Sequence, residues 1–102
     1  MFYSLPALLE IMLAEGAQGL HLFPGEKPVV EVNRTLFRVS GPALEGPDMT
    51  TLLRQIASAD EFREFKAMGI VSCYHHIPGK APLHVMAFRE CDRVRLEFRS
   101  VQ

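Results

Sequence analysis

The sequence predicts an α+β fold in which an antiparallel sheet of about five or six strands is covered by helices. Two observations support this fold class. Apolar residues recur with the helical period near the N-terminus and again at residues 48–68. From residue 70 onward the period changes to two, which is typical of half-buried strands. The 102 residues fit one hydrophobic core, so we expect a single domain spanning residues 1–102.

The first predicted element is an amphipathic helix. Its apolar residues recur at i, i+3, i+4, i+7 and i+8, which places them on one stripe. The stripe comprises Leu5, Leu8, Leu9, Met12 and Leu13. Ser4 suits the N-cap, Pro6 the first turn and Gly16 the end of this helix.

A brief strand and a loop follow the helix. Leu20 and Leu22 flank His21 with a period of two. Both leucines are therefore expected in the core and the histidine on the opposite face. Residues 23–28 contain two prolines and a glycine, which predict an exposed loop.

A hairpin is predicted next. Residues 30–32 and 36–39 are short apolar runs separated by a turn. Favoured two-residue turns need positive φ at both central positions, so Arg34 in place of glycine indicates a costly turn or a longer loop. Residues 41–47, with two prolines and two glycines, predict a linker within the domain.

Two helices are predicted between the hairpin and the last strands. Asp48 is expected to cap the first, and either Ser58 or Asp60 the second, which ends at Gly69. Their apolar residues are Leu52, Leu53 and Ile56 in the first helix, and Phe62, Phe65 and Met68 in the second.

The remainder of the chain predicts three strands. They span residues 70–77, 83–88 and 93–99, with turns at 78–82 and 90–92. In the last strand, apolar residues alternate with charged ones, which is the clearest half-buried pattern in the chain.

Composition restricts the possible functions. A net charge of -1 and a pI near 6.4 provide no general field for nucleic acid. No apolar run approaches the roughly 20 residues needed to cross a bilayer, so membrane insertion is not expected. The first basic residue is Lys27, which does not suit a signal peptide, and a cytoplasmic location is expected. Cys73 and Cys91 lack a metal-binding spacing and are expected to be buried, reduced thiols.

The order of elements in the first third of the chain resembles a known family. A leucine-rich helix leads into Glu15-Gly16-Ala17, then Gly19-Leu20-His21-Leu22, a glycine- and proline-containing loop, and a hairpin led by Pro28. This order resembles the N-terminal domain of type IV pilus and type II secretion ATPases, and is most similar to their twitching-motility (PilT-like) branch. The resemblance covers essentially the whole chain and implies a PAS-like fold.

Some positions depart from the family pattern. Family members usually read Ser-Asp-Leu-His where this chain has Gln18-Gly19-Leu20-His21. Pro82-Leu83-His84 stands where the family commonly has an Arg-Phe-Arg strand whose arginines face a neighbouring ATPase site. Arg99 does correspond to a family arginine near the end of the domain. The departures argue against a role in completing a nucleotide site in trans.

The resemblance implies a role in protein contacts. In the family, a nucleotide-binding core follows this domain, which packs against the ATPase core of a neighbouring subunit in a hexameric ring. This sequence reaches Gln102 without a Gly-x-x-x-x-Gly-Lys-Ser/Thr motif, so we expect no ATPase activity and no cofactor. The expected function is a non-catalytic interaction or regulatory module of type IV pilus or type II secretion machinery.

The expected partner of this module is a protein, either a pilus or secretion ATPase or a second copy of the chain. Three settings fit: a free-standing adaptor, a piece of a longer motor, or a domain recruited elsewhere. The alternative function is a PAS-like small-molecule sensor, since sheets of this type can enclose a ligand.

Basic residues near the C-terminus form the main candidate site. Arg93, Arg95 and Arg99 are predicted to share one face of the last strand, with Arg89 as a candidate fourth member. Aligned guanidinium groups bind carboxylates in bidentate fashion, so this face is a candidate docking surface for an acidic partner. The ordinary alternative is a solvated face. Phe23, in the predicted loop, is a candidate apolar contact for the same purpose.

Histidine and cysteine residues near the fourth strand suggest two further kinds of site. His75, His76 and His84 are possible metal ligands, but adjacent strand residues face opposite sides, so no metal site is predicted. Cys73 beside an imidazole is a possible nucleophile, but no other catalytic feature accompanies it. We therefore predict no catalytic residues.

Overall fold

A computed structural model describes residues 3–80 and 82–101, and it has three helices and six strands. In chain order these are α1 (Leu5–Ala14), β1 (Gly19–Leu22), β2 (Val29–Val32), β3 (Thr35–Arg38), α2 (Gly46–Ile56), α3 (Ala59–Met68), β4 (Ile70–His75), β5 (Leu83–Glu90) and β6 (Arg93–Ser100). The strands form one sheet in the order β3-β2-β1-β6-β5-β4, and every neighbouring pair is antiparallel. The predicted α+β fold class is confirmed. Ala81, in the predicted turn at 78–82, lies outside the described residues.

One face of the sheet carries the hydrophobic core. Alternate residues of five strands point to this face and pack against the apolar sides of the helices. The strand residues are Leu20, Leu22, Val30, Val71, Cys73, Leu83, Val85, Ala87, Leu96 and Phe98, and the helix residues include Leu8, Met12, Met49, Leu52, Leu53 and Phe65. Burying one such side chain stabilises the fold by about 1.5–3 kcal/mol, so the helices are held on this side.

The opposite face, which we call the open face, is not covered by a helix in the described part of the chain. Its side chains are half-buried or exposed. In strand order from β4 to β2 it carries Ile70, Ser72, Tyr74, His84, Met86, Phe88, Arg95, Glu97, Arg99, His21 and Glu31. Side chains on this face are therefore at least partly accessible to solvent.

Helix α1 begins and packs largely as predicted. The Ser4 hydroxyl accepts a hydrogen bond from the Ala7 amide at 3.2 Å, which is the expected N-cap. The first four residues of the predicted stripe are buried, but Leu13 is 45% exposed. Leu13 therefore belongs to the predicted stripe but not to the hydrophobic core.

The β2–β3 hairpin has a two-residue turn, so the alternative of a longer loop was wrong. Asn33 and Arg34 have φ of 50° and 68°, which is the geometry that matches the twist of paired strands. In β3, at the edge of the sheet, Leu36 and Phe37 are 61% and 51% exposed.

The start of α2 differs from the prediction. Asp48 is not the N-cap: the helix begins at Gly46, and Glu45 caps it. The Asp48 carboxylate accepts a hydrogen bond from the Glu45 amide at 3.1 Å. An acidic residue three positions into the helix completes a capping box, which is why the sequence pattern suggested a later start. Pro47 lies in the first turn, where a missing amide hydrogen costs little.

Helix α3 begins after Ser58, whose hydroxyl accepts from the Glu61 amide at 3.1 Å. The alternative cap, Asp60, lies inside the helix. Gly69, with φ of 77°, ends the helix as predicted. Phe65 is buried, whereas Met68 is 71% exposed.

Three local predictions in the strands and loops were wrong. β4 ends at His75 instead of residue 77. Cys91 is exposed because it forms, with Asp92, the two-residue turn between β5 and β6. Pro28, predicted to lie in an exposed loop, is buried where that loop rejoins the sheet.

None of the helices in the described ranges is long and apolar enough to cross a membrane.

Candidate functional site

Arg95 is held in a fixed position on the open face. It lies opposite Phe88 in the β5–β6 register, and its guanidinium carbon is 4.4 Å from the centre of the Phe88 ring. The same carbon is 5.7 Å from the centre of the Phe23 ring. Arg95 Nη2 also lies 3.5 Å from Glu90 Oε1. Attraction between a cation and an aromatic face holds such a side chain in place while it stays partly solvated.

A pocket opens to solvent beside Arg95. It has a volume of about 430 Å³ and is formed by the loop after β1 and by the facing ends of β5 and β6. We call it the arginine pocket, and its lining residues are Phe23, Pro24, Gly25, Glu26, Glu90, Arg93 and Arg95. Its two arginines and one aromatic ring suit a carboxylate next to an apolar group, and its open shape suits a protruding protein side chain.

Arg95 carries an unused hydrogen-bond donor at this pocket. Its Nε is buried and has no hydrogen-bond partner among the described residues. A buried donor without an acceptor costs about 1–3 kcal/mol, and because this Nε is buried, a partner cannot reach it while Arg95 keeps this position. Glu26 and Glu90 also line the pocket, and they restrict it to ligands that approach the arginines without meeting these carboxylates.

Arg99 belongs to a separate charged cluster on the open face. Its Nη2 lies 3.1 Å from Glu97 Oε1 and 3.5 Å from Glu31 Oε1. His21 lies between the same two acids, with Nε2 3.4 Å from Glu31 and Nδ1 3.9 Å from Glu97. The hydrogen bond with His21 is the largest cause that lowers the pKa of Glu31. The hydrogen bond with Glu97 raises the pKa of the Arg99 guanidinium.

This cluster connects β1, β2 and β6, because each strand contributes a polar side chain to it. The charge of Arg99 is already balanced by two carboxylates, so Arg99 is less available to an acidic partner than Arg93, which is exposed. The structure thus brings Arg93, Arg95 and Phe23 together and places Arg99 apart from them.

Arg89 is not part of the docking surface. It lies opposite Val94, so it is on the helix-covered side of the sheet, and its membership of the arginine face was wrongly predicted. Its guanidinium carbon is 5.8 Å from the centre of the Phe65 ring, and it donates a hydrogen bond to the Lys66 carbonyl at 3.2 Å. It therefore connects the end of α3 to the end of β5.

Sequence analysis missed Phe88 and Glu90 as members of the site. A two-residue turn at 91–92 pairs Glu90 with Arg93, and counting back from there pairs Phe88 with Arg95. The short turn is therefore the signal that identifies both residues.

The histidines and Cys73 do not assemble into a reactive site. His84 lies on the open face, where its Nε2 is 2.6 Å from Ser72 Oγ, whereas His75 lies on the opposite face in register with Leu83. Burial is the main cause, and nearby Glu61 a smaller one, of the rise in the pKa of the Cys73 thiol to about 11. The thiol is therefore protonated and unreactive at neutral pH. Among residues 3–80 and 82–101, no three His, Cys, Asp or Glu side chains are placed to hold a metal ion.

Comparison with known proteins relates the whole chain to one part of a pilus motor. No protein-family model matches the sequence. The chain is 27% identical over 94 residues to the type IV pilus retraction ATPase PilT of Pseudomonas aeruginosa, an alignment that covers 92% of the chain and 27% of that protein. The chain thus spans about a quarter of the length of the relative that it matches.

Two solved structures share the fold. The crystal structure of the pilus retraction motor PilT with bound ADP superposes with a TM-score of 0.89 at 19% identity, covering 98% of this chain and 29% of that one. The structure of the Legionella pneumophila ATPase DotB superposes with a TM-score of 0.78 at 15% identity, covering 95% and 28%. Both matches are to the N-terminal part of those ATPases. The predicted resemblance is confirmed, and the fold is consistent with a PAS-like domain.

Proposed function

We propose that this chain is a non-catalytic interaction domain of type IV pilus or related secretion machinery, which docks through the arginine pocket on an acidic surface of a motor ATPase. The observation that supports the pocket is Arg95, held against two aromatic rings beside the exposed Arg93. The partner class is suggested by the similarity to the N-terminal region of PilT and DotB. We also propose that residues 1–102 form one PAS-like domain.

The chemistry of the pocket favours a carboxylate from the partner. Arg93 lies at the rim and can present its planar guanidinium to a carboxylate in bidentate fashion. Phe23, at the other side of the pocket, offers an apolar surface that such a contact can exclude from water. Exposed charges are screened by salt, so binding is expected to weaken as ionic strength rises.

The proposal is tested by capture of a PilT-type ATPase from which the N-terminal region similar to this chain has been removed. The unchanged chain is expected to retain the ATPase on a column. Arg93→Glu with Arg95→Glu is expected to lower the affinity by at least about tenfold, because charge reversal opposes a buried carboxylate. Arg93→Glu alone tests the exposed charge without disturbing the stacked side chain.

The control for this test is Arg63→Glu in α3, where the side chain is 75% exposed and pairs with Asp60. Its change in net charge matches that of Arg93→Glu alone, and Arg63 does not line the pocket. Equal retention of the ATPase by the unchanged chain and by the double variant, with circular dichroism showing that both are folded, would contradict the proposal.

A small-molecule sensor is less well supported. A sensor of this fold needs room between the sheet and the helices, and that layer contains the fully buried side chains of Phe98, Leu8, Met12 and Leu20. The docking proposal applies equally to a free-standing adaptor, to a piece of a longer motor and to a recruited domain, because each would present the same pocket.

A further inference from the structure

The two edge strands of the sheet are protected to different degrees. β3 has four residues, ends in Arg38 and follows a turn that contains Arg34. β4 has six residues, Ile-Val-Ser-Cys-Tyr-His, with no acidic or basic group other than the terminal histidine and no proline. Natural sheets usually block their edges with charges, proline, bulges or short strands. β4 uses none of these within its six residues.

The outward-pointing backbone groups of β4 can be assigned from the hydrogen-bond register. The Arg89 amide donates to the Gly69 carbonyl at 2.8 Å, and Ile70 lies opposite Phe88. Residues of an antiparallel pair alternate between those whose backbone groups point to the neighbour and those whose groups point away. Ile70, Ser72 and Tyr74 therefore direct their N–H and C=O groups away from β5.

These outward groups are available to another strand. No loop or helix within residues 3–80 and 82–101 forms a backbone hydrogen bond with Ile70, Ser72 or Tyr74 from that side. Their side chains lie on the open face, and Ile70 and Tyr74 are 45% and 66% exposed. Edge strands with free backbone groups and exposed apolar side chains are templates for strand addition.

The edge is complementary to a second copy of itself. With two β4 strands antiparallel and a twofold axis at Ser72, Ile70 of each copy lies opposite Tyr74 of the other, and both pairs use the outward backbone groups. Aromatic and β-branched residues pair favourably across strands. On the core side, Val71 lies opposite Cys73. No charged groups face each other at the axis, so nothing in β4 opposes this pairing.

We propose that two copies of this chain associate through β4 about a twofold axis at Ser72, which joins their sheets into one continuous antiparallel sheet. The interface is isologous, as most two-subunit contacts are. It lies at the opposite side of β5 from the arginine pocket, so it does not depend on the proposed docking of an ATPase.

Disulfide trapping tests the register. In a Cys91→Ser background, Ser72→Cys places two thiols at directly opposed positions whose Cα atoms are about 5.5 Å apart, within the range for a disulfide. Tyr74→Cys is the matched control, because its two copies would lie roughly 14 Å apart along the strands. Mild oxidation is expected to yield a linked dimer for Ser72→Cys and not for Tyr74→Cys. Equal linkage of both variants, or of neither, would overturn the register.

Sedimentation equilibrium tests association through the β4 edge without introducing a new cysteine. The unchanged chain is expected to show a reversible monomer–dimer equilibrium between micromolar and millimolar concentrations. Ser72→Lys sets two like charges opposite each other and is expected to raise the dissociation constant at least about tenfold. Leu36→Lys on the exposed edge strand β3 adds the same charge elsewhere and is expected to leave the dissociation constant unchanged. A monomer at all concentrations, or dissociation caused by Leu36→Lys alone, would overturn the proposal.

Discussion

Three arginines on one face of β6 have different roles because their neighbours differ. Arg95 stacks on Phe88, Arg99 pairs with Glu97 and Glu31, and Arg93 is exposed at the pocket rim. Period-two alternation predicted correctly that all three share a face. It carries no information on cross-strand neighbours, which come from β1, β2 and β5.

The two cysteines provide a prediction at the scale of single residues. At pH 8 only about one Cys73 thiol in a thousand is ionised if its pKa is about 11, and the side chain is buried. A maleimide or disulfide reagent is therefore expected to modify native protein at Cys91 only, as measured by mass spectrometry.

The control is Cys91→Ser, which should stay unmodified when native and become modified at Cys73 in urea. Modification of native Cys91→Ser at the rate seen in urea would show that Cys73 is accessible, contrary to the structure.

Two short turns determine the register of the strands. The β2–β3 and β5–β6 hairpins both have two non-glycine residues with positive φ, Asn33-Arg34 and Cys91-Asp92. Such turns match the twist of the flanking strands, and so they tolerate less suitable residues when the strands pair well. The sequence shows that Arg34 is unfavourable in this turn. It does not show the strand contacts of β2 that compensate for this residue.

Arg34→Gly tests this explanation. A residue with a side chain in the left-handed region costs about 1–2 kcal/mol, and glycine returns about 0.5–1 kcal/mol of that through its greater freedom when unfolded. We expect a net increase in the free energy of unfolding of about 0.5–1 kcal/mol, measured by urea denaturation.

Thr35→Gly, one residue later and inside β3, is the control and should lower the free energy of unfolding. If both variants had an equally lowered free energy of unfolding, the left-handed backbone at position 34 would not be a source of strain.

At the scale of the whole molecule, all helices lie on one side of the sheet. This arrangement fills one face with apolar side chains and leaves the other for charged clusters, the arginine pocket and the β4 edge. It also decides which residues of an amphipathic stripe are core residues. Leu8 is fully buried and Leu13 is 45% exposed, although both belong to the same predicted stripe of α1.

Truncating these two leucines distinguishes a stripe residue that lies in the hydrophobic core from one that does not. Leu8→Ala is expected to lower the free energy of unfolding by about 2–5 kcal/mol, because it leaves a cavity between α1 and the sheet. Leu13→Ala, the same change on the same helix, is expected to stay within about 0.5 kcal/mol of the unchanged protein. Urea denaturation measures both, and similar losses for the two would place Leu13 in the core after all.

Local patterns in the sequence predicted most elements of this protein and its resemblance to one part of a pilus ATPase. The helix cap at Ser4, the glycine end at Gly69 and the alternation in β6 each depend on residues close together in the chain, and each was predicted. Ser58 was predicted as one of two candidate caps of α3. The order of those elements predicted the resemblance that the comparisons confirm. Such features can be predicted from sequence because the interactions that determine them join residues close together in the chain.

The tertiary structure alone decided which of these residues meet. The contact of Phe23 with Arg95, the placement of Arg89 on the opposite face and the exposure of the β4 edge all follow from strand order and register. Strand order brings together segments that are far apart in the chain, and the free energy that selects it is summed over the whole core. No short stretch of sequence determines this total free energy, so the residues of the site can be identified only in the folded chain.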